Sequence, residues 1–293
     1  MEFIVSLNNI LCRAFLTYKQ YQLEVFFMIE KSISLSRQLE SLRTVLEPSA
    51  IEYMKMSVST KASSLINSKL GGMPYLPKGA IHPRDEKAEY MLLLAQVNFS
   101  EEVFPSPFPT KGLLQFFISP LAYEQTLKTG GILTPNYFHV RYCPTITTEN
   151  LVTDFTYLQH VQTHIFPIKQ ELPLSFSKKI EPVSATDYRL TNFITPTLME
   201  QFTNTEHQPF AEIYLQYFSG ADMKTGGYPY FIGEDIRGNY PSLQTYDTLL
   251  LQIVSDDAID IMWGDCGVLK FFINRDKLQK LDFSDVLLYT EDY

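Results

Sequence analysis

The chain has 293 residues, of which 45% are hydrophobic and 19% charged, and its formal net charge is −9. This composition is typical of a globular protein with ample apolar material for a core. Lys and Arg are not clustered into the basic surface that binding to a phosphate backbone requires, so we do not expect the protein to bind nucleic acid.

The three cysteines, Cys12, Cys143 and Cys266, are an odd number and form no CxxC motif. This pattern favours a reducing, cytoplasmic location over a disulfide framework. Aromatic residues make up 14% of the chain, mostly Phe and Tyr. Because aromatic side chains pack well on pleated surfaces, this excess favours β structure.

Residues 1–27 differ from the rest of the chain. They are apolar, but Glu2 opens them, Arg13 interrupts the apolar run, and no small-residue cleavage site follows, so they do not resemble a secretory signal. Their longest uncharged stretch is too short to cross a bilayer, and no membrane association is expected. We expect residues 1–27 to be a non-native or dispensable extension, and residues 28–293 to form a single domain.

A leucine repeat follows Met28. Leu35, Leu39, Leu42 and Leu46 recur at steps of four, three and four, which predicts an amphipathic helix with one apolar stripe. Pro48 ends this pattern and predicts the start of a second short helix over about 50–56.

From residue 68 the pattern changes to that of strands. Compact apolar runs at 91–97 and 113–118 have strand length, and the alternating run 137–142 predicts another strand. Three prolines between the first two runs, Pro105, Pro107 and Pro109, exclude a regular helix or a central strand there. Short strand candidates are scattered over 145–190, and 197–218 is predicted to be helical in part, with an interruption at Pro209.

Three motifs occur twice in the same order. A Gly-Gly-x-Pro-Tyr segment is followed by a leucine-rich run containing glutamine and then by a Gly-led run containing Phe-Phe-Ile. The distance from Gly71 to Gly112 is 41 positions, and so is the distance from Gly226 to Gly267. The repetition predicts two duplicated units, at about 68–145 and 219–293, packed into one compact body.

These motifs, together with 68–77, 94–98 and the terminal 261–265, resemble the YwqG-like family of bacterial proteins of unknown function. The resemblance covers about residues 30–293. It implies a mainly β fold with minor α content (α+β), roll-like, with two related units plus N-terminal helices, and it implies no established activity. Two positions depart from the family pattern: His82 precedes Pro83 where the family has Trp, and Met223 stands where the family commonly has His.

Two strings could form a site or serve the fold. In Trp263-Gly264-Asp265-Cys266-Gly267, the ring, carboxylate and glycines suit a ligand site, but a β-turn whose Trp packs in a core is the preferred interpretation. Gln96 and Gln252 lie inside apolar runs, so each amide needs hydrogen-bond partners, which are either a ligand or loop backbone. The paired Gly-Gly segments lack phosphate-loop spacing and are interpreted as structural turns.

Six residues are predicted to line a cleft, if one exists, because equivalent segments of two related units often meet near a pseudo-twofold axis. They combine aromatic walls with a few fixed polar groups: Tyr75, Gln96, Tyr230, Gln252, Trp263 and Asp265. His160 and His164 are four residues apart but lack a clear helix and further ligands, so no metal site is predicted. No cofactor signature is present.

The leading hypothesis is a cytoplasmic binding module for a small ligand or a protein partner, without catalysis. One alternative is an enzyme, such as a hydrolase, with a polar site between the two units. Another is an immunity-type interaction protein that uses its acidic surface against a basic partner.

Overall fold

The computed structural model describes residues 33–161, 166–202 and 209–293, and residues 1–27 therefore lie outside the described part. Eleven strands form one sheet. In chain order they are β1 Ile51–Val58, β2 Lys69–Leu70, β3 Leu92–Asn98, β4 Leu113–Ile118, β5 Ile132–Leu133, β6 Phe138–Cys143, β7 Leu172–Glu181, β8 Lys224–Gly226, β9 Thr248–Val254, β10 Val268–Ile273 and β11 Val286–Glu291. The mainly β prediction is confirmed.

The helices are short and lie before β1 or between later strands. The α-helices are Arg43–Leu46, Ala122–Thr129, Leu190–Phe193, Pro196–Gln201, Phe210–Phe218, Ile236–Asn239 and Arg275–Gln279. Single 3-10 turns occur at Glu40–Leu42, Glu47–Ser49, Thr156–Leu158, Pro241–Thr245 and Asp257–Ile259. Among the described residues, no helix combines the length and apolar character needed to cross a membrane.

The sheet is antiparallel and curls until its two ends approach each other. Its strand order is β5-β11-β10-β9-β8-β1-β7-β2-β3-β4-β6. Only residues 134–137 separate β5 from β6 in the chain, yet these strands lie at opposite ends of that order. Gly131 lets the chain pack closely on β11 at one end of the sheet, because a Cβ there would lie 2.2 Å from the carbonyl oxygen of Thr290. The result is a nearly closed roll.

The main core fills the inside of this roll with side chains from both ends of the sheet. Phe116 of β4 and Phe271 of β10 meet edge to face, with ring centroids 4.9 Å apart. Phe138 of β6 contacts Phe271 in the same way at 5.9 Å. Each such ring is fully or almost fully buried, which contributes about 1.5–3 kcal/mol per side chain.

A second core lies under the N-terminal turns. The predicted stripe is confirmed in part, because Leu39, Leu42 and Leu46 are buried there against the Phe210–Phe218 helix. The helix itself is broken, however, into the α-helical turn Arg43–Leu46 and flanking 3-10 turns.

The predicted second helix at 50–56 is wrong, because this segment belongs to the central strand β1. Ile51–Val58 pairs with β7 along its whole length and with β8 on the other side. Met54 and Met56 are buried in the main core. The pairing with β7 spans more than 100 residues of sequence, and it overrides the local helix-start signal of Pro48.

The other predicted elements agree with the structure where it describes them. The strands expected at 91–97, 113–118 and 137–142 are β3, β4 and β6, and β7 lies within the region 145–190 where short strand candidates were expected. The region 197–218 is helical at both ends, while 203–208 is outside the described residues. Cys143 and Cys266 are free thiols.

Candidate functional site

Gln96 of β3 is fully buried, and its amide is used entirely within the fold. Its Oε1 accepts the backbone N–H of Tyr75 at 2.9 Å. Its Nε2 donates to the carbonyl oxygens of Leu65 and Asn67 at 2.9 and 2.8 Å. Gln96 therefore satisfies loop backbone, which was one of the two interpretations open from the sequence.

Gln252 of β9 makes the same set of bonds in the second half of the sheet. Its Oε1 accepts the backbone N–H of Tyr230 at 2.8 Å. Its Nε2 donates to the carbonyl oxygens of Gly220 and Asp222, both at 2.8 Å. Each glutamine thus ties its own Gly-Gly-x-Pro-Tyr segment to the sheet, and four strands lie between β3 and β9 in the sheet order.

Trp263 and Asp265 lie in a tight turn before β10. The backbone N–H of Gly267 donates to the Trp263 carbonyl oxygen at 2.8 Å, which closes the turn. The Trp263 ring is buried in the main core, where it meets Tyr123 edge to face at 5.4 Å. Asp265 is exposed. These are the features of the turn-and-core interpretation.

The six predicted site residues therefore form three local groups. Tyr75 contacts Gln96, Tyr230 contacts Gln252, and Trp263 shares its turn with Asp265. Tyr75 is buried, and its hydroxyl accepts the backbone N–H of Thr147. Four cavities among the described residues have linings that contain none of the six. The shared cleft stays a prediction.

The Gly-Gly segments are turns, as predicted, but each also borders a cavity. Gly71, Gly72, Gly226 and Gly227 have φ values of 63°, 72°, 74° and 76°, which a residue with a Cβ rarely adopts. One cavity, of about 470 Å³, adjoins Gly72, and another, of about 400 Å³, adjoins Gly226 and Gly227. The two cavities have equivalent lining residues at four positions of the repeated motifs. Aligning the Gly-Gly segments pairs Gly72 with Gly227 and Met73 with Tyr228, and aligning the buried glutamines pairs Leu92 with Thr248 and Leu93 with Leu249.

The cavity beside Gly226 and Gly227, here called the arginine cavity, has charged groups of both signs in its wall. Arg189, Arg275, Glu52 and Asp247 all line it. The cavity beside Gly72 is bordered by apolar residues such as Leu93, Phe155, Phe166 and Ile168 together with a polar edge. The arginine cavity is therefore the better candidate for specific recognition of a polar ligand.

A buried charge network holds Arg189 in place. Asp187 accepts hydrogen bonds from Arg189 Nε and Nη2, both at 2.7 Å, and from Arg237 Nη2 at 3.0 Å. Arg237 is also bound by Asp235, at 3.0 Å from Nε and 2.7 Å from Nη2. Burial raises the pKa of Asp187, but the hydrogen bonds and charge of Arg189 outweigh it, so the pKa lies below its usual value and the carboxylate stays ionised.

Aromatic rings enclose the same network. The Arg189 guanidinium lies 4.9 Å from the centroid of the Tyr228 ring, and that of Arg237 lies 4.6 Å from the Phe272 ring. Burial raises the pKa of Tyr228 to about 12, so its hydroxyl is neutral and donates to the Ser49 carbonyl oxygen at 2.6 Å. Cation–π contact and hydrogen bonds together fix the cavity wall before any ligand arrives.

Sequence reasoning missed this network, although a signal for it exists. Asp187-Tyr188-Arg189 and Asp235-Ile236-Arg237 share an Asp-x-Arg spacing. In both, the Asp Oδ1 accepts the backbone N–H of the Arg two residues later, at 2.9 Å. The same carboxylate then binds the guanidinium. A short side chain that bonds its own backbone two residues on is a recognisable turn device.

The histidine and metal expectations concern other parts of the molecule. His82 is buried, with Nε2 2.7 Å from the Met91 carbonyl oxygen and Nδ1 3.0 Å from the Tyr157 hydroxyl, so it serves the fold. His160 is exposed and His164 is outside the described residues. Within 33–161, 166–202 and 209–293, no group of three or more His, Cys, Asp or Glu is placed to hold a metal ion.

Comparison with known proteins places the chain in a family. Residues 68–291 match the model of a domain of unknown function, DUF1963. A search of curated proteins gave no match. The matched segment includes both Gly-Gly segments, both buried glutamines and every residue of the charge network, and it covers most of the chain. The chain therefore belongs to the DUF1963 family, whose function is unknown.

Proposed function

We propose that this protein is a small-ligand-binding module without catalysis, and that its ligand binds in the arginine cavity. The observation that carries the proposal is the pre-formed wall of that cavity, where Arg189 is held by the buried Asp187. Sites whose polar groups are fixed in advance lose little entropy on binding. The described lining contains no cysteine, which argues against thiol chemistry in this cavity.

The proposal includes a duplicated architecture of YwqG-like type in a cytoplasmic bacterial protein. On one side of the central pair β7-β1 lie β2, β3, β4 and β6, and on the other lie β8, β9, β10 and β11 in the same order outward. The register shifts at Leu94 in β3 and at Leu250 in β9, each two residues before the buried glutamine. Lys69 and Lys224, both buried, pair with Glu171 and Glu181 beside the two Gly-Gly turns. These parallels support a common origin for the halves.

The test is ligand binding by the full chain, first by native mass spectrometry of the purified protein and then by saturation-transfer NMR with a panel of small polar molecules. Thr248→Trp fills the arginine cavity. Leu92→Trp, at the matching position of the other half, is the control. We expect Thr248→Trp to abolish binding and Leu92→Trp to leave it unchanged. Binding that survives Thr248→Trp would overturn the location.

The cleft predicted from the sequence is the competing location. Asp265 is exposed and outside the arginine cavity, so Asp265→Asn tests that cleft without disturbing the core. If Asp265→Asn abolishes binding while Thr248→Trp does not, the ligand lies at the predicted cleft. If no small molecule binds the wild-type chain, the binding function itself is rejected.

A further inference from the structure

The four charged residues of the arginine cavity balance each other. Arg189 and Arg275 bring two positive charges, and Glu52 and Asp247 bring two negative charges. The arginines attract a purely anionic ligand, but the carboxylates repel it. The carboxylates attract a purely cationic ligand, but the arginines repel it. A ligand with both charges gains from each pair, because its charges match the wall.

Arg275 supplies the positive group that is free to bind. Its guanidinium has no hydrogen-bond or ion-pair partner within the part of the chain that the structure describes, and the residue is exposed. Its backbone N–H donates to Asp247 Oδ1 at 2.9 Å, which anchors the residue at the cavity. Arg189 is different, since Nε and one N–H of Nη2 are bound to Asp187, while Nη1 makes a single long contact of 3.4 Å to the Asp247 carbonyl oxygen and keeps donor capacity.

Asp247 supplies the matching negative group. Its Oδ1 accepts the Arg275 backbone N–H and the Thr248 hydroxyl, both at 2.9 Å, which fixes the carboxylate. Its Oδ2 has no bond to a described residue and remains open to a ligand. Glu52 is a weaker candidate, because it pairs with Lys178 at 3.4 Å on the surface.

We infer that the arginine cavity binds a small zwitterion that carries a carboxylate and an ammonium group, as free amino acids and short peptides do. The inference rests on the proposed binding function. The carboxylate binds Arg275, assisted by Arg189 Nη1, and the ammonium group binds the open oxygen of Asp247. The cavity volume of about 400 Å³ lies at the lower end of the ~300–1,000 Å³ range of small-molecule sites, which suits such a ligand. Phe108 and Tyr228 offer apolar surface for a side chain.

The experiment measures affinity by titration calorimetry with the full chain. The probes are the free L-amino acids and a set of dipeptides, followed by the N-acetyl and C-amide derivatives of the best binder. The variants are Arg275→Gln and Asp247→Asn, which remove one charge each and keep hydrogen-bonding atoms. The control is Lys280→Gln. Lys280 is exposed, directly follows the helix Arg275–Gln279 that begins with Arg275, and does not line the cavity.

We expect N-acetylation and amidation each to weaken binding to the wild type at least tenfold. Amidation costs little further affinity in Arg275→Gln, and N-acetylation costs little further in Asp247→Asn, since the matching charge is already gone. Lys280→Gln binds like the wild type. Preference for free amino acids over dipeptides identifies the source of the zwitterion.

Two results overturn the inference. Undiminished binding of the N-acetyl or C-amide derivative rejects the zwitterion while leaving small-ligand binding intact. Absence of amino-acid and peptide binding, with another class of molecule bound and lost in Thr248→Trp, also rejects the zwitterion and keeps the cavity. Failure of every class of small molecule rejects the proposed function itself.

Discussion

Gln96 and Gln252 each supply the hydrogen bonds that loop backbone would otherwise lose on burial against the sheet. Each amide bonds one N–H and two carbonyl groups of the covering loop. Such a residue determines where the loop lies as well as how stable it is, because no apolar side chain of similar size replaces its three bonds.

Replacing Gln252 with Leu should therefore destabilise the protein by about 3 kcal/mol, since three partly buried backbone groups lose their partner at roughly 1 kcal/mol each. Gln96→Leu should cost a similar amount. The measurement is urea unfolding of each variant. Gln279→Leu, at an exposed position, is the control and should change the free energy of unfolding by less than about 0.5 kcal/mol. A cost for both buried variants as small as that of the control would contradict the structural role.

His82 should make stability depend on pH. Burial lowers its pKa, with help from the charges of Arg141 and Arg84, while its hydrogen bond to Met91 opposes the shift. The unfolded chain thus takes up a proton at higher pH than the folded chain does. The stabilising contribution is present above the unfolded value of about 6.5 and is lost as pH falls through the lower folded value.

We expect His82→Gln to be less stable than the wild type at pH 8, because the glutamine does not reproduce both ring hydrogen bonds, and to lose less stability between pH 7 and pH 5. Urea unfolding across that range measures both effects. Equal slopes for wild type and variant would show that His82 does not titrate on unfolding.

At the scale of elements, the two Gly-Gly turns differ in what lies behind them. A Cβ on Gly72 would lie 2.1 Å from Glu171 Oε2, and one on Gly227 would lie 2.3 Å from Glu181 Oε1. The Glu171 side chain is 35% exposed and pairs with the buried Lys69 at 3.0 Å, while that of Glu181 is 13% exposed and pairs with the buried Lys224 at 2.7 Å. Glu171 therefore has more room to shift toward solvent than Glu181 has.

Gly227→Ala should therefore cost more than Gly72→Ala, although both place Ala at positive φ, where roughly 1–2 kcal/mol of strain applies. Both carboxylates pair with a buried lysine, but the less exposed Glu181 has less room to shift while keeping its pair, and disrupting a buried ion pair costs about 3–5 kcal/mol when one partner is left uncompensated. Thermal and urea unfolding of the two variants measures the difference. Equal costs would mean that Glu181 moves as freely as Glu171.

The elements that could be predicted from the sequence are those with a strong local pattern. The apolar runs of β3 and β4 are continuous because both faces of these strands are buried. The strand β1 could not be predicted, since Pro48 gives a local helix signal while the partners that make it a strand lie in β7 and β8. Main-chain pairing at such distance leaves no local pattern.

The candidate site shows the same limit. The glycines and glutamines were found because their motifs repeat. Arg275 and Asp247 lie at unremarkable positions, and their meeting depends on β9 and β10 being neighbours in the sheet. Whether a carboxylate is exposed, paired or held in one orientation depends on how the chain packs. Composition and motif spacing do not reveal it.

At the scale of the whole molecule, the two halves share one core. Their inner faces meet through Phe116 and Phe271, and the single Trp of the chain, Trp263 in the second half, packs on Tyr123 from the first. The arginine cavity also joins the halves, because residues 105–108 of the first half and 226–228 of the second both line it. Phe108 belongs to the main core as well, so the cavity wall and the shared core are continuous there.

This shared core predicts that the two halves unfold together. Neither half can bury its inner face alone, so a state with only one half folded would expose the apolar rings at the contact between Phe116 and Phe271. We expect Trp263 fluorescence and far-UV circular dichroism to give coincident urea transitions.

Phe271→Ala should lower the urea midpoint of both transitions together, because it opens a cavity between the halves. The corresponding loss in the free energy of unfolding is about 3–5 kcal/mol. Phe202→Ala, in the separate N-terminal core, gives the comparison, since it should perturb the Trp263 signal only through global stability. A fluorescence transition that precedes the dichroism transition in the wild type would mean that the second half unfolds alone and that the roll is two independent bodies.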